Sequence, residues 1–123
     1  MRAIWWSVIS LTLTGAGVVR AEPAAELTAA TAIVDREPVN PGTTFKQGET
    51  IFVWSSLTDC AGSSAQHVWK RDGKELRTAR LPIKGQKWRV NSKQRNAAKG
   101  SYTVEVLTEA GQKLGEVQFT VGD

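Results

Sequence analysis

The residues with the clearest capacity for chemistry in this sequence are cations gathered in one part of it. Eleven of the 16 Lys and Arg residues lie between positions 70 and 99, where only two acidic residues oppose them. Such an excess of one sign attracts anionic partners and orients them during the encounter. The alternative is that these side chains only solvate the outer faces of strands and guard sheet edges. The sequence leaves both interpretations open.

Within this stretch, residues 87–93 (KWRVNSK) place an aromatic side chain next to a cation. On a strand, alternation puts Arg89, Asn91 and Lys93 on one face, which we expect to be exposed to solvent. In a binding interpretation, Trp88 stacks on a sugar ring while Arg89 and Lys93 hold an anionic substituent. In a structural interpretation, Trp88 belongs to the core and Arg89 pairs with a nearby acid.

The candidate binding residues are this segment, the next cation and the only histidine: His67, Trp88, Arg89, Asn91, Lys93 and Arg95. His67 has the strand parity of Trp69, so a structural histidine competes with a catalytic base. Catalysis would need a nucleophile and an orienting acid beside the histidine. No Gly-x-Ser-x-Gly turn or comparable motif supports such a combination. We therefore predict that the protein is not an enzyme and has no catalytic residue.

Composition offers no pattern for a metal or a cofactor, and we predict neither. One His and one Cys cannot form a His–His pair or a multi-cysteine zinc site. The glycines are isolated turn residues rather than a phosphate-binding loop. Cys60 falls in a loop expected at residues 58–64. A single cysteine in an exported protein either pairs between chains or remains a free thiol, and both alternatives stay open.

Residues 1–21 have the organisation of a signal peptide. Arg2 precedes an apolar stretch interrupted by hydroxyl side chains, and Val19-Arg20-Ala21 fits a signal-peptidase site. An uncleaved anchor is the competing interpretation, but a spanning helix needs about 20 predominantly apolar residues. We expect cleavage after this site, a periplasmic or secreted product, and no membrane span in that product.

The sequence after residue 21 predicts one all-β domain at residues 32–123, preceded by a flexible tether at residues 22–31, with a frayed first strand as the alternative for that segment. Hydrophobic residues make up 41% of the chain and charged residues 23%, which argues against wholesale disorder. Short β-branched and aromatic runs alternate with turn signals about every ten residues, a pattern typical of a β-sandwich. Residues 37–42, rich in Pro and Gly, are expected to form a loop. Asp72-Gly73 predicts a tight hairpin.

We predict about seven short antiparallel strands with an immunoglobulin-like arrangement. Residues 50–57 (TIFVWSSL) are the most apolar run after the N-terminal segment and predict a buried strand. Gly100-Ser101-Tyr102 has the form of a tyrosine corner, and Trp69 stands where immunoglobulin domains bury a tryptophan on the third strand.

The order of several short motifs resembles a bacterial family known as domain of unknown function 2914. The matching pieces are Arg36-Glu37-Pro38, His67-Val68-Trp69, Asp72-Gly73-Lys74, Leu81-Pro82-Ile83-Lys84-Gly85, Trp88-Arg89, Ser92-Lys93, Gly100-x-Tyr102-x-Val104-x-Val106, Leu114-Gly115 and Phe119-Thr120-Val121. The resemblance implies an exported or membrane-attached β-domain. It implies no reaction, because the family has no assigned activity.

Two functions fit these expectations. One is a non-catalytic module that recognises an anionic envelope polymer, such as a glycan or peptidoglycan. The other is a protein-interaction module that docks an envelope partner through a sheet edge or the basic face. Nucleic acid suits the charge but not the exported location, so it is not expected. The sequence does not define the oligomeric state.

Overall fold

The computed structural model describes residues 23–60 and 64–123, and this part of the chain is all-β. Its nine strands are β1 (Ala24–Val34), β2 (Glu37–Pro41), β3 (Thr44–Lys46), β4 (Ile51–Thr58), β5 (Ser64–Arg71), β6 (Lys74–Pro82), β7 (Lys87–Gln94), β8 (Gly100–Thr108) and β9 (Lys113–Gly122). A four-stranded sheet has the order β2-β1-β4-β7, and a five-stranded sheet has the order β3-β9-β8-β5-β6. Within the two described ranges, no helix is present that could traverse a lipid bilayer.

The core lies between the two sheets and follows from side-chain alternation along the strands. On β8, Tyr102, Val104 and Val106 point inward and are buried, while the residues between them are more exposed. Trp69 on β5 is fully buried and meets Phe119 of β9 edge to face, with 6.2 Å between ring centroids. The apolar run on β4 supplies the opposite side of this core, which confirms the buried strand predicted there.

The two lateral sides of the sandwich are built differently. On one side, β1 approaches β9 so closely that a Cβ on Gly115 would lie 3.0 Å from Leu27 Cδ1. On the other side, the edge strands β6 and β7 face each other, and the Arg77 guanidinium of β6 donates a hydrogen bond to the Lys93 carbonyl of β7. Direct packing therefore closes one side, whereas an arginine side chain bridges the other.

Two hairpins have two-residue turns with positive φ at both turn positions. Asp72 and Gly73, with φ of 51° and 82°, join β5 to β6, which confirms the predicted hairpin. Asp35 and Arg36, with φ of 52° and 64°, join β1 to β2 in the same way. This conformation is easy for glycine and costly for arginine, so contacts elsewhere must hold Arg36 in place.

Three expectations about the elements are wrong. The predicted tether at residues 22–31 is strand from Ala24 onward, because β4 provides a full antiparallel partner for this alanine-rich segment. The predicted loop at residues 37–42 is largely β2, whose prolines are tolerated on an edge strand. Residues 23–60 and 64–123 form nine strands rather than about seven, and not all are antiparallel, because short β3 pairs in parallel with β9. The predicted signal peptide, residues 1–21, lies outside the described residues.

The two aromatic positions that suggested an immunoglobulin-like domain are both buried, as predicted. The Tyr102 hydroxyl donates a hydrogen bond to the Ala98 carbonyl at 2.6 Å, four residues upstream, which is the tyrosine-corner contact. Its ring stacks on Phe119 with 5.1 Å between centroids. This hydrogen bond and this stacking attach the loop before β8 to the core.

Candidate functional site

A shallow groove lies on the outer face of the four-stranded sheet and is called here the Trp88 groove. It consists of two adjoining cavities of about 300 and 310 Å³. Both cavities are lined by Trp54, Trp88 and Arg89; one adds Glu37, Ser56 and Lys87, and the other adds Ile33, Arg36 and Asn91. The groove therefore combines aromatic surface with several cations and few acids.

Strand β7 positions the exposed part of this groove. Arg89, Asn91 and Lys93 are all exposed on the outer face, which confirms the predicted alternation. Trp88 has the same strand parity as the inward-facing residues of β7 and packs partly against the core. It also borders both cavities, because β7 is an edge strand. Neither interpretation of Trp88 is complete: the ring is half-buried and serves both surfaces. Arg95 is exposed beyond the end of β7 and does not line the groove.

The turn between β1 and β2 lies over the groove and makes three contacts with it. The Trp54 indole N–H donates a hydrogen bond to the Arg36 carbonyl at 2.8 Å. The Arg36 guanidinium lies 5.7 Å from the centre of the Trp88 ring, within cation–π range. Glu37 forms an ion pair with Arg89, with 2.5 Å between Oε2 and Nη1. Trp54, although on the outer face of its sheet, is consequently only 7% exposed.

Sequence reasoning missed Trp54, Arg36 and Glu37 as groove residues. Trp54 stands in the apolar run that predicts a buried strand, and its outward alternation was the available signal. Asp35-Arg36 separates two β-like runs by two residues, which is the spacing of a hairpin. Arg36 lacks the usual turn chemistry, so the pattern alone does not distinguish this turn from a loop.

The eleven cations of residues 70–99 are distributed over both sheets rather than gathered on one face. Arg89 and Lys93 lie on the four-stranded sheet, where the Lys93 ammonium is 5.7 Å from the Phe52 ring. Others pair with acids elsewhere, including Lys70 with Glu105, Arg80 with Glu109 and Lys99 with Asp123. The cations that line the groove are therefore a small subset of the basic stretch.

His67 is fully buried between the sheets, which corrects its inclusion among the surface binding residues. Its Nε2 lies 2.7 Å from the Ser55 hydroxyl and its Nδ1 lies 2.6 Å from the Ser92 hydroxyl. The Trp69 indole N–H donates to Ser92 Oγ at 2.8 Å. Together with Arg77, whose guanidinium lies 4.9 Å from the Trp69 ring centre, these residues form the interior polar cluster.

Burial controls the chemistry of this cluster. Desolvation, reinforced by the nearby Arg77 charge, lowers the pKa of His67 to about 4. The imidazole is therefore neutral at pH 7, with one ring nitrogen donating and the other accepting. Serine hydroxyls occupy both nitrogens, so no ring nitrogen is left for an orienting carboxylate. The side chain is also closed off from solvent, so this Ser–His arrangement cannot reach a substrate.

A third feature is a cavity of about 560 Å³ at one end of the sandwich, bordered by Cys60, Ile83 and Leu114 among others. Cys60 is half-buried, and its thiol donates to the Thr58 carbonyl at 3.3 Å. Burial raises the pKa of this thiol, which keeps it in the less reactive protonated form. Within the described residues, no group of three His, Cys, Asp or Glu side chains is arranged to hold a metal ion.

The model of a family described as a protein of unknown function, DUF2914, matches residues 64–121. Residues 64–121 belong to this family. The resemblance predicted from the motifs is thereby confirmed over that range, which contains all of β5 to β8 and most of β9. Trp88, Arg89 and Asn91 lie within the DUF2914 match, whereas the Arg36-Glu37-Pro38 motif precedes it. The groove is thus formed jointly by the DUF2914 region and by the strands before it.

No curated protein has a sequence that matches this chain. In fold, the chain is similar to part of the alkylpurine DNA glycosylase AlkC of Pseudomonas fluorescens, solved bound to DNA containing an abasic-site analog. The TM-score is 0.53 at 17% identity, covering 84% of this chain and 31% of the glycosylase, so this chain spans about a third of that enzyme.

A second solved structure, the CARDB domain of a Pyrococcus furiosus protein in complex with di-metal ions, has a TM-score of 0.50 at 7% identity. The similarity covers 82% of this chain and 88% of the CARDB domain. At identities this low, both similarities show the two-sheet fold alone.

Proposed function

We propose that this protein is a non-catalytic, exported binding module whose Trp88 groove recognises an anionic cell-envelope glycan. One observation carries the proposal: Trp88 and Arg89 line both of two adjoining cavities of about 300 Å³ on the outer sheet face, and Arg36 lines one of them. An aromatic ring offers a flat apolar surface to a sugar ring, and guanidinium groups form strong, directional hydrogen bonds to carboxylates.

The proposal also includes export of the protein and an immunoglobulin-like arrangement of its two sheets. The organisation of residues 1–21 supports a cleaved signal peptide and a periplasmic or secreted product. The tyrosine-corner hydrogen bond of Tyr102 and the buried Trp69 on β5 support an immunoglobulin-like arrangement of the sandwich.

A second candidate, docking of an envelope protein, is favoured by the open side of the sandwich. There β6 and β7 are both edge strands, and Leu76 of β6 is 39% exposed. Edge strands can add a strand from a partner. Capture of partners from envelope lysate, before and after glycan digestion, separates the two functions. A glycan-binding module should no longer capture its partner after glycan digestion, whereas a protein-docking module should still capture its partner.

The proposal is tested by retention of the exported protein on an immobilised anionic glycan. Wild-type retention should decline as salt rises from about 50 to 500 mM, because the Debye length shortens from roughly 14 to 4 Å. The double reversal Arg89→Glu/Lys93→Glu changes one cation that lines the groove and one that is exposed beside it on the same face of β7, and it should abolish retention at low salt. Surface charges contribute little to folding, so its unfolding free energy should stay within about 1 kcal/mol of the wild type.

The matched control is Arg80→Glu/Lys99→Glu, which makes the same change of net charge at two exposed ion pairs away from the groove. This control should keep most of its retention. Equal loss in both double variants would show that net charge, not the groove, governs binding. A wild type that is not retained even at low salt would refute glycan recognition.

A further inference from the structure

We propose that the β1–β2 turn is a built-in competitor for the Trp88 groove, with the Glu37 carboxylate on Arg89 in the position of a ligand carboxylate. The inference rests on the proposed function and refines it in two ways. It identifies the ligand as a sugar that carries a carboxylate, such as a uronic acid. It also implies that the groove opens by exchanging one carboxylate for another.

The first support is the way the chain covers the groove. β1 pairs with β4 as far as Ala30; beyond that residue it continues with β2 alone. The turn at the end of this hairpin then lies on the outer face of β4 and β7, where the Arg36 carbonyl accepts the Trp54 indole N–H. The side of Trp54 that would otherwise face solvent is thereby buried, and Arg36 lies over Trp88.

The second support is the conformation of the turn. Arg36 adopts a φ of 64°, which an L-residue with a long side chain rarely adopts. The equivalent position of the β5–β6 hairpin is Gly73, where a Cβ would have open space around it. Strained backbone persists where surrounding contacts impose it and is concentrated at functional sites. At Arg36, those contacts are the ones made to Trp54 and Trp88.

The third support is the ion pair itself. Arg89 and Glu37 have side-chain exposures of 41% and 55%, so water and salt reach the pair. Exposed pairs of this kind contribute little free energy. A ligand carboxylate makes the same hydrogen bonds to Arg89 and adds the contact of its sugar ring with Trp88. Glu37 can therefore be displaced by a carboxylated sugar, whereas a neutral sugar offers nothing to replace it on Arg89.

The test compares Glu37→Gln with Glu26→Gln, using an oligogalacturonide as probe and its fully methyl-esterified form as the neutral control. Glu26 lies on the same outer face, in register with Ser56. Its substitution matches the loss of negative charge without removing the Arg89 partner. Glu37→Gln should bind the oligogalacturonide at least threefold more tightly than the wild type, and Glu26→Gln should bind it like the wild type. The esterified probe should bind weakly to all three. Equal tightening in both variants would overturn the competitor role.

A second measurement needs no ligand. Hydrogen exchange of the Trp54 indole N–H reports whether the turn is closed, because that hydrogen bonds to the Arg36 carbonyl. Glu37→Gln should accelerate this exchange severalfold, and Glu26→Gln should leave it unchanged. Unchanged exchange in Glu37→Gln would overturn closure by Glu37. If exchange accelerates but no variant binds the oligogalacturonide, closure is supported, while glycan recognition and the carboxylated-sugar assignment are both overturned.

Discussion

The interior polar cluster and the Trp88 groove use opposite faces of two shared strands, β4 and β7. Ser55 and Trp54 are neighbours on β4, and Ser92 and Asn91 are neighbours on β7. Each site combines a tryptophan, an arginine and small polar groups. The difference is access to water: Ser55 and His67 are fully buried, whereas Arg89 is 41% exposed.

This difference decides what each site can do. In the interior, desolvation keeps His67 neutral, and its hydrogen bonds to Ser55 and Ser92 join β5 to β4 and β7 across the core. Such a fully paired network helps to fix how the sheets pack. On the outer face, the Arg89–Glu37 pair remains hydrated and can exchange partners. Residue type alone therefore does not separate a structural site from a binding site.

The largest expected effect is that of truncating the interior tryptophan. Trp69→Ala should lower the unfolding free energy by about 3–5 kcal/mol, because it leaves a cavity in the core and removes the donor to Ser92. Trp88→Ala, at the half-buried groove position, should cost about 1 kcal/mol. Urea denaturation measures both. Similar costs for the two variants would remove the contrast between core and groove.

The interior histidine should make stability depend on pH. Its pKa is about 4 in the folded protein against an ordinary value of 6.5, so only the unfolded chain takes up the proton between these values. The unfolding free energy should therefore be highest above pH 6.5 and fall by about 3 kcal/mol from this residue as the pH drops to 4.

His67→Gln provides the control for that pH dependence, since glutamine has no proton to gain in this range. Denaturation curves at a series of pH values should show a shallower decline for the variant than for the wild type. Identical declines would mean that carboxylates, and not His67, account for the acid sensitivity.

The smallest expected effects concern the two matched turns. Arg36→Gly relieves an unfavourable φ but loses the contact with Trp88, so its unfolding free energy should change by less than about 0.5 kcal/mol. Gly73→Arg imposes the same φ on an arginine with nothing nearby to hold it, and should cost about 1 kcal/mol or more. Thermal denaturation distinguishes them. A stable Gly73→Arg variant would show that Arg36 is not strained.

Local pattern predicted those parts of the molecule in which side chains alternate clearly. The buried β4, the Asp72-Gly73 hairpin and the outward face of β7 all follow from period-two alternation and turn chemistry. The sequence pattern did not predict β2, because its prolines favour a loop unless the segment is already known to be an edge strand. Nor did it predict the groove, since Arg36 and Glu37 meet Trp88 and Arg89 through a hairpin turn that lies on the outer face of its own sheet.

The parallel pairing of β3 with β9 has a consequence for the order in which the domain assembles. It aligns Thr44 with Thr120 and Phe45 with Val121, residues 76 positions apart in the sequence. Contacts between such distant positions carry a large loop-closure entropy and place a protein among slow folders, on a scale of milliseconds to seconds. Because Phe119 and Val121 of β9 belong to the core, the core is incomplete until residues 113–122 have joined the sheet.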